Sequence, residues 1–142
     1  RGLQVVQHFF NENRIRQAAS SLGAAQYCVD QAVAHAKERK PFGKALATNQ
    51  GIQFPLVDLQ ARCEMLRALI HKTAWLMDRD GAFSASDKVS ICNYQANQLC
   101  CEAADTAMQV HGGMGYSRYK DMFLNSFSRS KLSFTIFIII HL

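Results

Sequence analysis

"LVDLQARCEMLRALIHKTAWLM", residues 56–77, carries Leu56, Leu59, Cys63, Leu66, Ile70, Thr73 and Met77 in alternating steps of three and four. That alternation is the heptad rhythm, and only an α-helix brings such positions onto one stripe. A strand would need a period of two. The pattern predicts a long helix that Gly81 ends. Pro55 stands near its start, where a missing N–H is tolerated if the helix begins close by; a start nearer Asn49 would put a kink there.

The same rhythm recurs on both sides. Downstream, Val89, Cys92, Ala96, Leu99, Ala103, Thr106 and Val110 predict another long helix, with Ser84 or Ser86 of "FSASDK" as its N-cap. Upstream, Ile15, Ala18, Ala19, Leu22, Ala25, Val29, Val33 and Ala36 trace a stripe on a helix running from about residue 9 to 39. Pro41 and Gly43 stop it. Ala18, Ala19, Gly23, Ala24 and Ala25 leave a thin face where another element can approach closely. Three amphipathic helices bury their seams only against one another or another subunit, so the fold class is all-α, an up-down bundle of long antiparallel helices.

The totals fit one domain. A chain of 142 residues with 49% hydrophobic content can enclose a core. Its net charge of +5 is compatible with an anionic partner without requiring one. The Lys and Arg residues form no single stripe with interleaved aromatics, which argues against nucleic acid. Five cysteines, with no Cys-x-x-Cys pair, read as buried apolar side chains in a reducing, intracellular compartment; the organelle is left open. His8, His35, His71 and His111 are scattered singly and read as structural, so no metal site is assigned. The opening "RGLQVV" shows no initiator Met and no secretory leader, and the expectation is a piece of something longer. The tail "KLSFTIFIIIHL", residues 131–142, falls short of the roughly 20 residues a bilayer span requires. It reads as a strand lacking its partner or as an exposed adhesive segment.

Two loops interrupt the helices. "RKPFGKALATNQ", residues 39–50, sets cations beside a proline, an aromatic and a glycine. "QVHGGMGY", residues 109–116, has glycines that let the backbone take positive φ and bring N–H groups close to an anion. The ordered pair, with "LGAAQYCVDQAVAHAKERK" leading into the first, resembles the C-terminal helical domain of the acyl-CoA dehydrogenase flavoenzymes over residues 1–118. Residues 119–142 depart from that family's pattern and are read as a divergent hydrophobic tail of the kind a misjoined or frame-shifted gene would produce.

The resemblance implies a function. Family members remove the α proton of an acyl-CoA thioester and pass the β hydride to FAD, and this domain contacts the FAD of a neighbouring subunit. Partners implied are an acyl-CoA substrate, further copies of the chain in a dimer or tetramer, and an electron acceptor such as an electron-transfer flavoprotein. By this resemblance Arg39 faces the FAD diphosphate, where a guanidinium fork suits paired oxygens. Phe42 packs beside the cofactor, Leu46, Asn49 and Gln50 add packing and hydrogen bonds, and Gln109, Gly112 and Gly113 complete the contact. "FFNENR" resembles the segment that touches the CoA moiety, making Asn11 and Arg14 the substrate-binding candidates.

The general base is missing. In most of the family a glutamate lies about twenty residues past the glycine loop, positioned to accept the α proton. Residues 134–138 hold no acid, and Asp121, the sole carboxylate after Gly115, comes too early. Other branches place the base just ahead of Arg14, where this chain has Asn13; the adjacent Glu12 is turned away by about 100° of helix. No catalytic residue is assigned, and the chain alone is expected to be inactive. The alternative reading is a non-enzymatic module in which the seams of the second and third helices drive self-association.

Overall fold

The computed structural model describes residues 2–117; the tail boundary and the base window lie outside them. Three long helices dominate: α1 (Gly2–Glu38), α2 (Gln50–Asp80) and α3 (Ser86–His111), followed by one further turn, α4 (Gly113–Tyr116). Short 3-10 turns at Pro41–Gly43 and Leu46–Thr48 join α1 to α2. No strand occurs among the described residues.

Side-chain pairs fix the directions. Asn11 meets Ser86, Ser21 meets Asn97 and His35 meets His111, at nearly constant sequence offset, so α1 and α3 run parallel and in step. Their contact is the most extensive in the molecule. Arg62 pairs with Glu102 and Thr73 with Cys92, a nearly constant sum, so α2 runs antiparallel between the same ends. The up-down order thus holds for α2 against its neighbours, while the main packing joins the two parallel helices.

The predicted seams are the core. Leu56, Leu59, Cys63, Leu66, Ile70 and Thr73 of α2 are buried, as are Val89, Cys92, Ala96, Leu99, Ala103 and Val110 of α3. They close on Ala18, Leu22, Ala25, Cys28, Val29, Ala32 and Ala36 of α1. Alanines at facing positions of α1 and α3 let the backbones approach, as the thin face of α1 suggested; Ala19 alone of the predicted stripe is exposed. Because both seams are consumed inside the chain, they are not available to drive self-association. Four cysteines are buried and Cys101 half-buried, all as free thiols.

Two boundaries differ from expectation, and the sequence leaves a third open. Helix α1 begins at Gly2 rather than near Phe9, and α2 takes the earlier of its two possible starts, at Gln50, so Pro55 lies inside it. A proline there leaves the carbonyl of Gly51 without its helical donor. Neither Ser84 nor Ser86 caps α3: Ala85 occupies that position, and the two hydroxyls donate backwards to the carbonyls of Gly81 (2.8 Å) and Phe83 (2.9 Å). Gly81, with φ of 89°, closes α2 as its sequence position predicted.

Candidate functional site

The topology gathers the two loops at one end. The C-termini of α1 and α3 and the N-terminus of α2 emerge together there, with residues 39–50 and 109–116 beside one another. The first loop is held at its base. Leu46 donates its N–H to the Arg39 carbonyl (2.8 Å), Gln53 donates to the Ala47 carbonyl (2.7 Å), and Leu46 and Ala47 pack on the core. Its tip, residues 41–44, is left projecting.

That tip carries an energetic cost with no internal return. Phe42 adopts φ 57° and ψ 28°, left-handed backbone that disfavours a side chain by about 1–2 kcal/mol. It is the one non-glycine at positive φ among the described residues, and its ring is fully exposed. Burying a phenylalanine would return about 1.5–3 kcal/mol, and here nothing in the chain collects it. The neighbouring cations Arg39, Lys40 and Lys44 are also exposed and form no ion pair among the described residues. An exposed cation costs little, so the aromatic is the stronger sign of an external partner.

Of the remaining predicted residues, Gln109 lines a cleft of about 220 Å³ between α2 and α3, together with Gly51, Ile52, Pro55, Asp105, Thr106 and Val110. Asn49 and Gln50 open α2 just before the lining residue Gly51; the Asn49 carbonyl accepts the N–H groups of Ile52 and Gln53, and its side chain makes no capping bond. Gly112 takes φ 59° and ψ −137°, a conformation side chains rarely adopt. Gly115 is required for another reason: a Cβ there would fall 2.6 Å from the Met108 carbonyl oxygen. At Gly113 the space is open, leaving its backbone approachable.

Asn11 and Arg14 lie elsewhere. Arg14 is twenty-five residues before Arg39, about 38 Å along the helix. Asn11 is wholly buried and donates to the Ala82 carbonyl (3.0 Å) and to Ser86 Oγ (2.8 Å), bracing α1 against the α2–α3 turn. Arg14 is half-buried. Glu12, next to them, is taken by Arg16 at 3.0 Å, with His8 at 3.6 Å.

Sequence reading missed three features of this site: the lining role of Asp105, the close approach at Gly115, and the stacking of His35 on His111 at 4.3 Å between ring centroids. The signal for the last was partial. His35 sits one helical turn before Arg39, and His111 directly before Gly112, but nothing local pairs residues so far apart in sequence.

The donor set suits a dinucleotide. A guanidinium, two lysines, exposed amide side chains, the open backbone at Gly113 and an unburied aromatic ring match a diphosphate flanked by heteroaromatic groups. This is a helical domain whose loop end gathers cationic, amide and aromatic side chains.

Comparison with known proteins gives the family. Residues 1–137 match the acyl-CoA dehydrogenase C-terminal domain, and the chain belongs to that family. The chain is 38% identical over 103 residues to the caffeyl-CoA reductase-Etf complex subunit CarC of Acetobacterium woodii, covering 72% of this chain and 27% of that protein. It is 33% identical over 118 residues to the probable acyl-CoA dehydrogenase YngJ of Bacillus subtilis, covering 83% and 30%. Butyryl-CoA dehydrogenase from Megasphaera elsdenii superposes with a TM-score of 0.86 at 28% identity, over 96% of this chain and 35% of that one. The chain therefore spans about a third of the length of the relatives it matches. Among the described residues no helix is long and apolar enough to cross a membrane, and no cluster of metal-binding side chains occurs.

Proposed function

We propose that this chain is the C-terminal domain of an FAD-dependent acyl-CoA dehydrogenase and that its loop end contacts FAD held by an adjacent protomer. The observation that carries the reading is Phe42, strained and fully exposed beside Arg39, Lys40 and Lys44. An interface supplied by a second protomer would collect the burial energy that the isolated chain forgoes. Arg39 would meet the diphosphate, with Gly113 offering its open backbone from the other loop and Gly112, whose N–H is spent on the Gln109 carbonyl, setting the turn that presents it. Leu46, Asn49, Gln50 and Gln109 would line the approach. FAD, when bound, supplies the hydride acceptor for α,β-dehydrogenation of an acyl-CoA thioester.

The chain's own contribution on this reading is binding and orientation. No general base is assigned within it, so the chain alone is expected to turn over no acyl-CoA. On the same reading Asn11 and Arg14 lie on the CoA side, Asn11 as a buried brace and Arg14 as the contacting cation. The name of the Acetobacterium woodii relative, a subunit of an Etf complex, supports an electron-transfer flavoprotein as redox partner. Assembly into dimers or tetramers follows from the shared cofactor site, and exposed Phe54, Val57, Met65 and Trp75 on α2 offer apolar surface for it. An oligomerisation module without cofactor would use that same surface but would have no need of Arg39.

The test is Arg39→Ala in a full-length protein carrying this domain. FAD affinity is expected to fall about 10- to 100-fold, the scale of a charge-assisted contact, with the fold unchanged. Unaltered FAD retention would favour the non-enzymatic reading.

A further inference from the structure

We propose, resting on the flavin reading above, that His35 and His111 are positioning residues that lock the two loops of this end into one binding surface. Both rings are buried, 4.3 Å apart between centroids and 22° from parallel. They form the last rung of the ladder between α1 and α3, after Asn11–Ser86 and Ser21–Asn97. The buried residues within one turn of it on the same two helices are Ala32, Ala36, Ala107 and Val110, all smaller than an imidazole.

Each histidine is joined directly to one loop. The His35 carbonyl accepts the Arg39 N–H (2.9 Å), and the Arg39 carbonyl in turn accepts the Leu46 N–H (2.8 Å), so the base of the first loop hangs from His35. His111 immediately precedes Gly112. A Cβ on Gly115 would fall 3.1 Å from His111 Cβ, which places the glycine turn directly against that residue. His111 Nδ1 lies 2.7 Å from the Ala107 carbonyl oxygen, and since a carbonyl only accepts, Nδ1 carries the proton and the ring orientation is fixed. A path of direct contacts thus runs from the cationic loop through two stacked rings to the glycine loop.

The test is amide exchange in the intact 142-residue chain, followed in segments 39–49, 109–117 and 18–28 for the parent sequence, His111→Ala and His111→Phe. His111→Ala is expected to raise exchange about tenfold in 39–49, the loop it does not belong to, with 18–28 unchanged; His111→Phe, which keeps a stacked ring, restores protection. Exchange raised only in 109–117, or raised equally in 18–28, overturns the proposal. Should His111→Ala unfold the chain, His35→Gln, which ends stacking but keeps a polar side chain, carries the same expectation and the same contrary results. In the FAD-loaded full-length protein the alanine variant should also lose about tenfold in FAD affinity, and the phenylalanine variant should recover it. Coupled exchange with unaltered FAD affinity supports the lock and counts against the flavin reading alone.

Discussion

The two ends of the bundle are built on opposite principles. At the turn joining α2 to α3 the polar groups are used within the chain: Asn11 braces Ala82 and Ser86, Ser84 and Ser86 bond back to turn carbonyls, and Arg79 pairs with Asp80. At the other end Arg39, Lys40 and Lys44 point into solvent and Phe42 holds an unfavourable backbone. The first end spends these polar groups within the chain; the second carries a backbone cost that no contact among the described residues offsets. Where local rules are broken without an internal gain, a binding surface is the physical explanation.

The largest test of this contrast concerns the core that both ends share. Burial, with the neighbouring Cys63 thiol adding to it, pushes the Cys28 thiol up to about 11; burial likewise lifts Cys100 to about 12, with Cys28, Cys101 and Cys63 adding to it. The folded state resists thiolate formation while the unfolded chain ionises near 9.0. The corresponding stability is therefore fully present below about pH 9 and lost as pH rises toward 11 to 12. Urea unfolding at rising pH should show a loss of several kcal/mol, with both ends melting together. Separate transitions would mean the ends do not share one cooperative core.

Next in size is the brace. Asn11→Ala should destabilise the chain by about 1–3 kcal/mol in urea unfolding, because it strips partners from the buried Ala82 carbonyl. FAD affinity in the full-length protein should be untouched. Smaller, and of opposite sign, is Phe42→Gly, which should stabilise the chain by about 1 kcal/mol by removing left-handed strain while weakening FAD binding. A variant that loses stability there would show that the ring packs inside the chain after all. Least of all, Arg39→Ala should leave chain stability within about 0.5 kcal/mol, so that its effect appears in binding alone.

Much of this contrast was legible in the sequence, and the reason is periodicity. The α2 seam from Leu56 to Thr73 is buried position by position, because a heptad pattern states directly which side faces the core. The loops were found through their proline, glycine and cationic residues, which cannot continue a helix. What stayed hidden depends on distance in sequence. Asn11 read as a ligand contact because its motif resembled one, and only the arrival of Ala82 and Ser86 shows where its amide is spent. The serine caps failed for a local reason: both hydroxyls found a carbonyl three residues back. The strain at Phe42 is a backbone property that no side-chain pattern encodes.

The most direct measurement is a crystal structure of the FAD-loaded, full-length assembly. The account predicts the Arg39 guanidinium on the FAD diphosphate, the Phe42 ring covered by a neighbouring protomer, and Gly112 and Gly113 against the same cofactor. Both loops facing bulk solvent, with the FAD bound elsewhere, would contradict it.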